Sequence, residues 1–141
     1  MILISHRGNI DGKTDRENEP SYILEAVEKG YSVEFDVWYI ENEWYLGHDE
    51  PTYKIEESFL ENIKFWCHAK NMKALEKMSN NNKIHSFWHQ EDDYTLTSKN
   101  YIWTYPGKLL SKNSICVLPE MFNSDITNCL GICSDVIKNY K

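Results

Sequence analysis

Short apolar segments that end in polar or charged residues recur along this chain, separated by polar loops or by stretches with helical spacing. Seven of them predict strands, at residues 1–5, 32–40, 64–68, 84–88, 101–104, 114–118 and 130–134. An eighth candidate lies at residues 94–97, and residues 41–46 predict a hairpin after the second strand. Pro20 and Gly30 are typical of the two ends of a helix, and residues 72–78 predict one more. Strands that alternate with helices or loops indicate a parallel α/β sheet.

The length of the chain limits how complete such a fold can be. At 141 residues it is large enough for a hydrophobic core, and we interpret residues 1–141 as a single domain. A complete (β/α)8 barrel usually needs roughly 250 residues. Because residues 90–100 and 105–113 are too short or too polar for covering helices, we expect a reduced TIM-type (β/α) barrel. Several of its helices are then shortened or missing.

Charge and cysteine usage narrow the range of partners and compartments. The formal net charge of -7 argues against a nucleic-acid partner, because binding a phosphate backbone requires clustered lysine and arginine. A small phosphate ester needs only one local cationic pocket and is compatible with this charge. The four cysteines lack zinc-site spacing, and we interpret them as reduced. Since no secretory segment precedes His6 and no apolar run approaches membrane length, we expect a cytoplasmic protein without stable membrane insertion.

Three short motifs stand at or just after the ends of predicted strands: His6-Arg7-Gly8, Glu34-Phe35-Asp36 and Gly47-His48-Asp49. The two imidazoles can divide general acid and general base work. Alternate residues on a strand point the same way, so Glu34 and Asp36 can share one hard divalent cation. Arg7 carries a forked, permanent positive charge suited to phosphate. The combination indicates phosphodiester chemistry. The competing interpretation is structural: His6 caps a strand, Arg7 forms a surface ion pair, Glu34 and Asp36 lie on a solvated strand face, and His48 is a turn residue.

These motifs follow one another in the order seen at the start of the glycerophosphodiester phosphodiesterase family. That family reads HRG, ENT, a helix ending in glycine, ExDV and HD, and here Glu17-Asn18-Glu19-Pro20 stands at the second motif. The chain resembles a short, divergent member of the family over its first third, and the match thins after Pro51. The resemblance implies a phospholipase-C-like phosphodiesterase architecture, with His48 as the second acid/base group beside His6. It also implies that Glu17-Asn18 braces His6 or the start of the helix.

His68-Ala69-Lys70 departs from the family, which usually has Glu-x-Lys on this strand. The resemblance implies that Glu34 and Asp36 bind one divalent metal ion, Mg²⁺ or Ca²⁺, with His68 in the place of the third ligand. Imidazole binds these hard ions less well than a carboxylate does and suits softer metals. The site is therefore weaker, holds a different ion, or is completed by water. Lys70 matches the family's lysine, and it either binds the substrate phosphate or is simply the first exposed residue after a strand.

The predicted function is metal-dependent hydrolysis of a small glycerophosphodiester-type substrate, with His6 and His48 as acid and base and Arg7 on the phosphate. The resemblance implies that a neighbouring substrate hydroxyl attacks first and that water then opens a cyclic phosphate. One alternative is a non-catalytic sugar-phosphate or metal-binding module, which the change at His68 favours. The other is a phospholipase that acts on a lipid head group.

A barrel short of helices leaves the outer face of its strands partly bare. Apolar and aromatic residues alternate at 65–67, 87–88 and 101–103, so some of them are expected to face outward. Exposed patches of this kind usually mark an interface. We therefore expect a homo-oligomer that buries this surface, unless the loops 90–100 and 105–113 fold over the strands and leave a monomer.

Overall fold

The chain folds into ten β-strands and two α-helices, and the computed structural model describes all of residues 1–141. The strands are β1 (Ile2–His6), β2 (Ser32–Ile40), β3 (Glu43–Leu46), β4 (Tyr53–Ile55), β5 (Phe65–Ala69), β6 (Ser86–Phe87), β7 (Tyr94–Leu96), β8 (Ile102–Thr104), β9 (Ser114–Val117) and β10 (Gly131–Ser134). The helices are α1 (Pro20–Glu28) and α2 (Met72–Ser79). Short 3₁₀ turns occupy Glu57–Glu61, Pro119–Met121, Ile126–Asn128 and Ile137–Tyr140. None of the helices is long and apolar enough to cross a membrane.

All ten strands belong to one sheet, in which seven run parallel in the order β6-β5-β2-β1-β10-β9-β8. Strand β2 is nine residues long, and two strands share one of its edges. Strand β1 pairs with residues 32–34, and β3 pairs antiparallel with residues 37–40. The β3–β4 hairpin therefore extends the sheet beyond the end of β1. Strand β7 is an antiparallel edge strand on β8.

The predicted reduced TIM-type barrel of phospholipase-C-like architecture is wrong. A TIM barrel is built from alternating β/α units, whereas here only two of the connections between strands contain an α-helix. The result is a curled mixed sheet, a half-barrel, in which β3, β4 and β7 are antiparallel to their neighbours. The physical reason lies in the connections 88–93, 105–113 and 118–130, which consist of loops and 3₁₀ turns in place of helices that would cover the strands.

The two faces of β2 carry different residues, because successive side chains on a strand point to opposite faces. Val33, Phe35 and Val37 are fully buried and belong to the larger core, which also contains buried residues of α1 and α2. Glu34 and Asp36 point to the inner face of the curled sheet. A smaller apolar cluster fills that inner face: Ile4, Trp66, Phe87, Trp103, Ile115, Val117 and Cys133.

Local sequence signals place both helices against the sheet. Helix α1 begins at Pro20, which has no N–H to leave unsatisfied in a first turn. Helix α2 is capped by Asn71, whose side chain accepts a 3.1 Å hydrogen bond from the Ala74 amide. The same Asn71 side chain donates to the Tyr39 carbonyl at 2.9 Å and accepts from the Tyr39 amide at 3.2 Å. One amide side chain thus ties the start of α2 to β2 and seats the buried Met78 on the core.

The predicted outward-facing apolar surface is also wrong. Four of its aromatic side chains are buried within the chain, at 4% exposure or less: Phe65, Trp66, Phe87 and Trp103. The exposed apolar residues of this half of the chain include Tyr94 and Leu96 on β7 and Leu109 in the loop after β8. They line a cavity of about 390 Å³ on the outer face. The predicted homo-oligomer stays a prediction, and these exposed residues offer it a different surface from the predicted one.

Candidate active site

The carboxyl ends of β1 and β5, the first half of β2 and the loop after β3 meet at a cleft of about 480 Å³. The structure brings six of the predicted site residues into its lining: His6, Arg7, Glu34, His48, His68 and Lys70. The seventh, Asp36, lies beneath the surface of the cleft and contacts two of the others. Parallel pairing explains the convergence, since His6 is opposite Glu34 and Asp36 is opposite His68 in adjacent strands.

Glu34 and Asp36 form a buried carboxylate pair, and both residues are 2% exposed or less. Two cations face Asp36: Arg7 Nε lies 3.4 Å from Oδ2, and His68 Nδ1 lies 3.3 Å from Oδ1. Burial raises the pKa of Asp36, but these two cations and a hydrogen bond from Asn18 together lower it by more than burial raises it. The pKa of Asp36 is therefore well below its usual range. Asp36 is therefore ionised throughout the neutral range.

The imidazole of His68 is held so that its second nitrogen points at the carboxylates. Its Nε2–H donates a 2.7 Å hydrogen bond to the His89 carbonyl, and its Nδ1 faces Asp36 and, at 3.8 Å, Glu34 Oε1. Burial lowers the pKa of His68, but the two carboxylates outweigh that effect and raise it to about 9. At neutral pH the Nδ1 position carries a proton, which a bound metal ion would replace.

The donor set fits a divalent metal ion. One ligand atom each from Glu34, Asp36 and His68 lies within 4.8 Å of the other two. Glu34 Oε2 and Asp36 Oδ1 are buried without a hydrogen-bond partner, which is costly unless a cation compensates. An imidazole whose far nitrogen donates to a backbone carbonyl is the usual arrangement of a metal-binding histidine. With one imidazole and two carboxylates, the set suits a borderline ion such as Mn²⁺ as well as Mg²⁺.

His6 is oriented by a residue from the other end of the chain. Its Nδ1–H donates a 2.7 Å hydrogen bond to Asp135, which directly follows β10, and its Nε2 faces the cleft 3.6 Å from Glu34 Oε2. Burial lowers the pKa of His6, but Asp135 and Glu34 raise it to a value above the ordinary one. Asp135 in turn accepts from Asn9 at 2.8 Å. Glu120 fixes the turn by accepting from the Asp135 amide at 3.2 Å.

The loop before α1 braces a different residue from the one expected. Asn18 Nδ2 donates to Asp36 at 3.0 Å, and Asn18 Oδ1 accepts from the Asp36 amide at 2.9 Å. Glu17 accepts from Asn9 at 2.6 Å and lies 3.7 Å from Arg7. The prediction that Glu17-Asn18 braces His6 or the helix start therefore holds only indirectly, through Asn9. Asn18 itself orients the metal-facing carboxylate.

A tight turn after β1 carries Arg7 into the cleft. Arg7 has a positive φ of 57°, and Gly8 follows with a φ of 94°. A Cβ atom on Gly8 would lie 2.7 Å from the ring of Tyr22, so another residue there would strain the backbone and displace that ring. The guanidinium contacts Asp36 and Glu17 and remains 19% exposed at the cleft, where a ligand anion can reach it.

His48 sits on the opposite rim and is more exposed than His6. Its Nδ1 lies 2.7 Å from Asp49 Oδ1, but Asp49 is almost fully exposed to solvent. Gly47 allows the chain to turn here, because a Cβ atom on it would lie 2.1 Å from the Glu50 carbonyl oxygen. Trp38 Nε1 donates to the Gly47 carbonyl at 2.6 Å and holds the loop to β2.

The second half of the chain supplies the remaining wall of the cleft. This wall is mainly apolar and aromatic, a feature that the sequence motifs did not indicate: Trp103, Tyr105, Pro106, Val117, Leu118 and Met121. Lys70 lies on the charged side, in no ion pair. The cleft thus has a charged half, suited to a phosphate, and an apolar half, suited to the organic part of an ester.

Comparison of this chain with protein-family models, with curated proteins and with solved structures finds no match.

Proposed function

We propose that the cleft hydrolyses a small phosphodiester of glycerophosphodiester type with the help of one divalent metal ion. The observation that supports this most is the arrangement around Glu34. Its carboxylate lies between His68, which with Asp36 completes a metal-ligand set, and His6, which Asp135 orients for proton transfer. Metal-binding and proton-transferring groups therefore share one wall of the cleft.

The metal ion would be held by Glu34, Asp36 and His68, and when bound it would stabilise negative charge on the phosphoryl oxygens. Arg7 and Lys70 bring permanent positive charge to the same side and bind the phosphate. As in other enzymes that act on phosphate esters, positioning and electrostatic stabilisation of the phosphate would account for most of the catalysis.

His6 and His48 divide the proton transfers. One imidazole takes the proton of the attacking hydroxyl, which belongs to water or to a neighbouring group of the substrate, as its oxygen bonds to phosphorus. The other donates a proton to the alkoxide that leaves as its bond to phosphorus breaks. Where a substrate hydroxyl attacks, water then opens the cyclic phosphate. Both rings are suited to this because each directs Nδ1 at a carboxylate, Asp135 or Asp49, and the Nε2 of His6 faces the cleft. The buried partner holds His6 more rigidly than the exposed one holds His48.

The test is hydrolysis of bis(p-nitrophenyl) phosphate with Mg²⁺, Ca²⁺ or Mn²⁺ and with chelator. We expect turnover only with metal, and a loss of at least about 100-fold in Glu34→Gln. Glu76→Gln, on the exposed face of α2, is the matched control and should retain full activity. Turnover that persists with chelator and in Glu34→Gln would contradict the proposal.

A non-catalytic binding module is the second candidate, and one observation favours it. Arg7 and His68 already neutralise Asp36 from two sides, so the carboxylates are balanced without a metal ion. Isothermal titration calorimetry separates the two functions. Phosphate binding that needs no metal ion, without turnover of any phosphodiester, would support the module.

A further inference from the structure

A second cavity, of about 780 Å³, opens at the amino ends of the strands, opposite the cleft. Its lining comes from residues at or before the first positions of several strands. Ile2 and Ser32 begin β1 and β2, and Lys64 directly precedes β5. His85 and Tyr101 directly precede β6 and β8. None of the residues proposed for phosphodiester hydrolysis lines this cavity.

Three rings form one wall of this second cavity. The centroid of Trp66 lies 4.2 Å from that of His85 and 4.9 Å from that of Tyr101. His85 and Tyr101 are themselves 5.6 Å apart. Trp66 and His85 are 4% and 9% exposed, so they offer the cavity little more than an edge, whereas Tyr101 is half-buried and leaves ring surface on which a planar ligand can stack. This wall therefore favours a ligand with an aromatic part.

His85 offers a polar atom within that aromatic wall. The residue is 9% exposed, and its Nε2 makes a 2.7 Å hydrogen bond with Thr97 Oγ1, which fixes the ring. The structure gives its Nδ1 no hydrogen-bond partner. Burial and the nearby charge of Lys99 lower the pKa of His85 to about 4, so the ring is neutral at physiological pH. A neutral imidazole nitrogen can form a directional hydrogen bond with a heteroaromatic ring.

The rim of the cavity is cationic in a protein with a net charge of -7. Three lysines line it, and Glu61 is the only acidic residue that does so. Glu61 pairs with Lys83 at 3.7 Å, and Lys99 Nζ donates to a backbone carbonyl at 2.7 Å. Lys64 makes no ion pair. An anionic group at this rim would gain two lysine charges that no carboxylate neutralises.

We propose that this cavity is a second binding site, and that its ligand is a small aromatic anion such as a nucleoside monophosphate. The base stacks on Tyr101 beside the edges of Trp66 and His85, where His85 Nδ1 can hydrogen-bond to it, and the phosphate faces Lys64 and Lys99. This inference is independent of the function proposed for the cleft, because the two sites lie at opposite ends of the sheet.

Calorimetric titration with adenosine 5′-monophosphate tests this proposal, with adenosine and inorganic phosphate titrated in parallel. We expect saturable binding of the monophosphate, and affinity at least about tenfold lower for either fragment. The double variant Lys64→Gln/Lys99→Gln should lower affinity for the monophosphate about tenfold while leaving adenosine binding unchanged. Both substitutions are at exposed positions and preserve folding.

Two controls make the result specific to this cavity. Lys73→Gln removes an exposed lysine at the other end of the sheet and should leave binding unchanged. Lys70→Gln removes a cation of the cleft that makes no ion pair and should also leave binding unchanged. Absence of saturable monophosphate binding would overturn the proposal. So would a loss of affinity in Lys70→Gln that the Lys64/Lys99 double variant does not show.

Discussion

Among strands β1 to β6, helix α1 packs on β2 and helix α2 packs on β2, β5 and β6, whereas strands β7 to β10 carry no α-helix. Strands β2, β3 and β5 contribute to a core of 14 buried residues, and the inner cluster that includes residues of the second group has seven. The predicted acid, base and metal-binding residues all lie in the first, helix-covered half. The second half contributes Asp135 and the apolar wall of the cleft.

This difference indicates why the charged groups lie where they do. A buried carboxylate pair must be held rigidly against cations, or its burial becomes too costly. The half with the larger core provides that support for Glu34 and Asp36, from α1, α2 and the Asn18 side chain. The half without helices holds Asp135 by hydrogen bonds instead: its carboxylate accepts from Asn9, and its amide donates to Glu120.

The largest expected effect is on stability and compares one leucine in each half. Leu46 on β3 is fully buried, and Leu96 on β7 is 62% exposed. Leu46→Ala should lower the free energy of unfolding by about 2–5 kcal/mol, because it leaves a cavity in the larger core. Leu96→Ala should change it by less than about 0.5 kcal/mol. Urea denaturation measures both, and equal losses would show that the two halves do not differ in packing.

The next effect concerns the free energy of unfolding of the metal-free protein. His68 and His85 should contribute to it with opposite pH dependence. The raised pKa of His68, about 9, gives stability that is complete below pH 6.5 and is lost as the pH rises through 9. The lowered pKa of His85, about 4, gives stability that is complete above pH 6.5 and is lost as the pH falls towards 4. Each limb should amount to about 2–3 kcal/mol.

The free energy of unfolding, measured from pH 4 to 9.5 with chelator present, checks this second prediction. His68→Gln should flatten the alkaline limb alone, and His85→Gln should flatten the acid limb alone. A variant that shifts the whole curve without changing either slope would mean that its histidine does not titrate as described.

A smaller effect compares the two carboxylates that orient histidines. Asp135 is buried and comes from the second half, whereas Asp49 is exposed and adjacent to its histidine. For the proposed hydrolysis, Asp135→Asn should lower kcat roughly 10–100-fold and shift the pH profile to lower pH. Asp49→Asn should lower kcat less than about threefold, since solvent already screens that contact. Equal effects on kcat would contradict the greater rigidity assigned to His6.

The smallest effect is self-association through the half without helices. Tyr94, Leu96 and Leu109 are exposed beside one apolar cavity, and such patches often bind a partner. We expect light scattering to give a mass above 16.7 kDa at high protein concentration. Leu109→Asp should restore the mass of one chain, and Met72→Asp, on the other half, should not. A single-chain mass for the unmodified protein at high concentration would reject self-association.

Local patterns in the sequence predicted the elements of the first half well. Strand β2 spans the predicted residues 32–40, and α1 begins at Pro20 and ends just before Gly30. The same patterns led to the wrong fold class, because periodicity identifies a strand without revealing what covers it. Residues 94–97 illustrate this: β7 is present, but it is antiparallel to β8 at the edge of the sheet.

The candidate site was predictable where neighbouring parallel strands bring residues side by side, as β1 and β2 do with His6 and Glu34. His6 ends its strand as predicted, whereas Glu34 lies within β2. The contacts that orient them were harder to predict. Asn18 reaches Asp36 through a backbone with a φ of 67°, for which an isolated asparagine is only a weak signal. Asp135 directly follows the predicted strand at 130–134, but its contact with His6 depends on the pairing of β1 with β10. Pairing between distant strands leaves no local pattern.

That pairing has a consequence for the order in which the protein folds. His6 and Asp135 are 129 positions apart, and β1 lies between β2 and β10 in the sheet. Contacts at such separation form slowly, because a long loop must close before they stabilise anything. During synthesis, β2 can pair with β1 early, but the other edge of β1 stays open until residues 131–134 have left the ribosome. The helix-covered half therefore assembles first, and the His6–Asp135 contact is among the last to form.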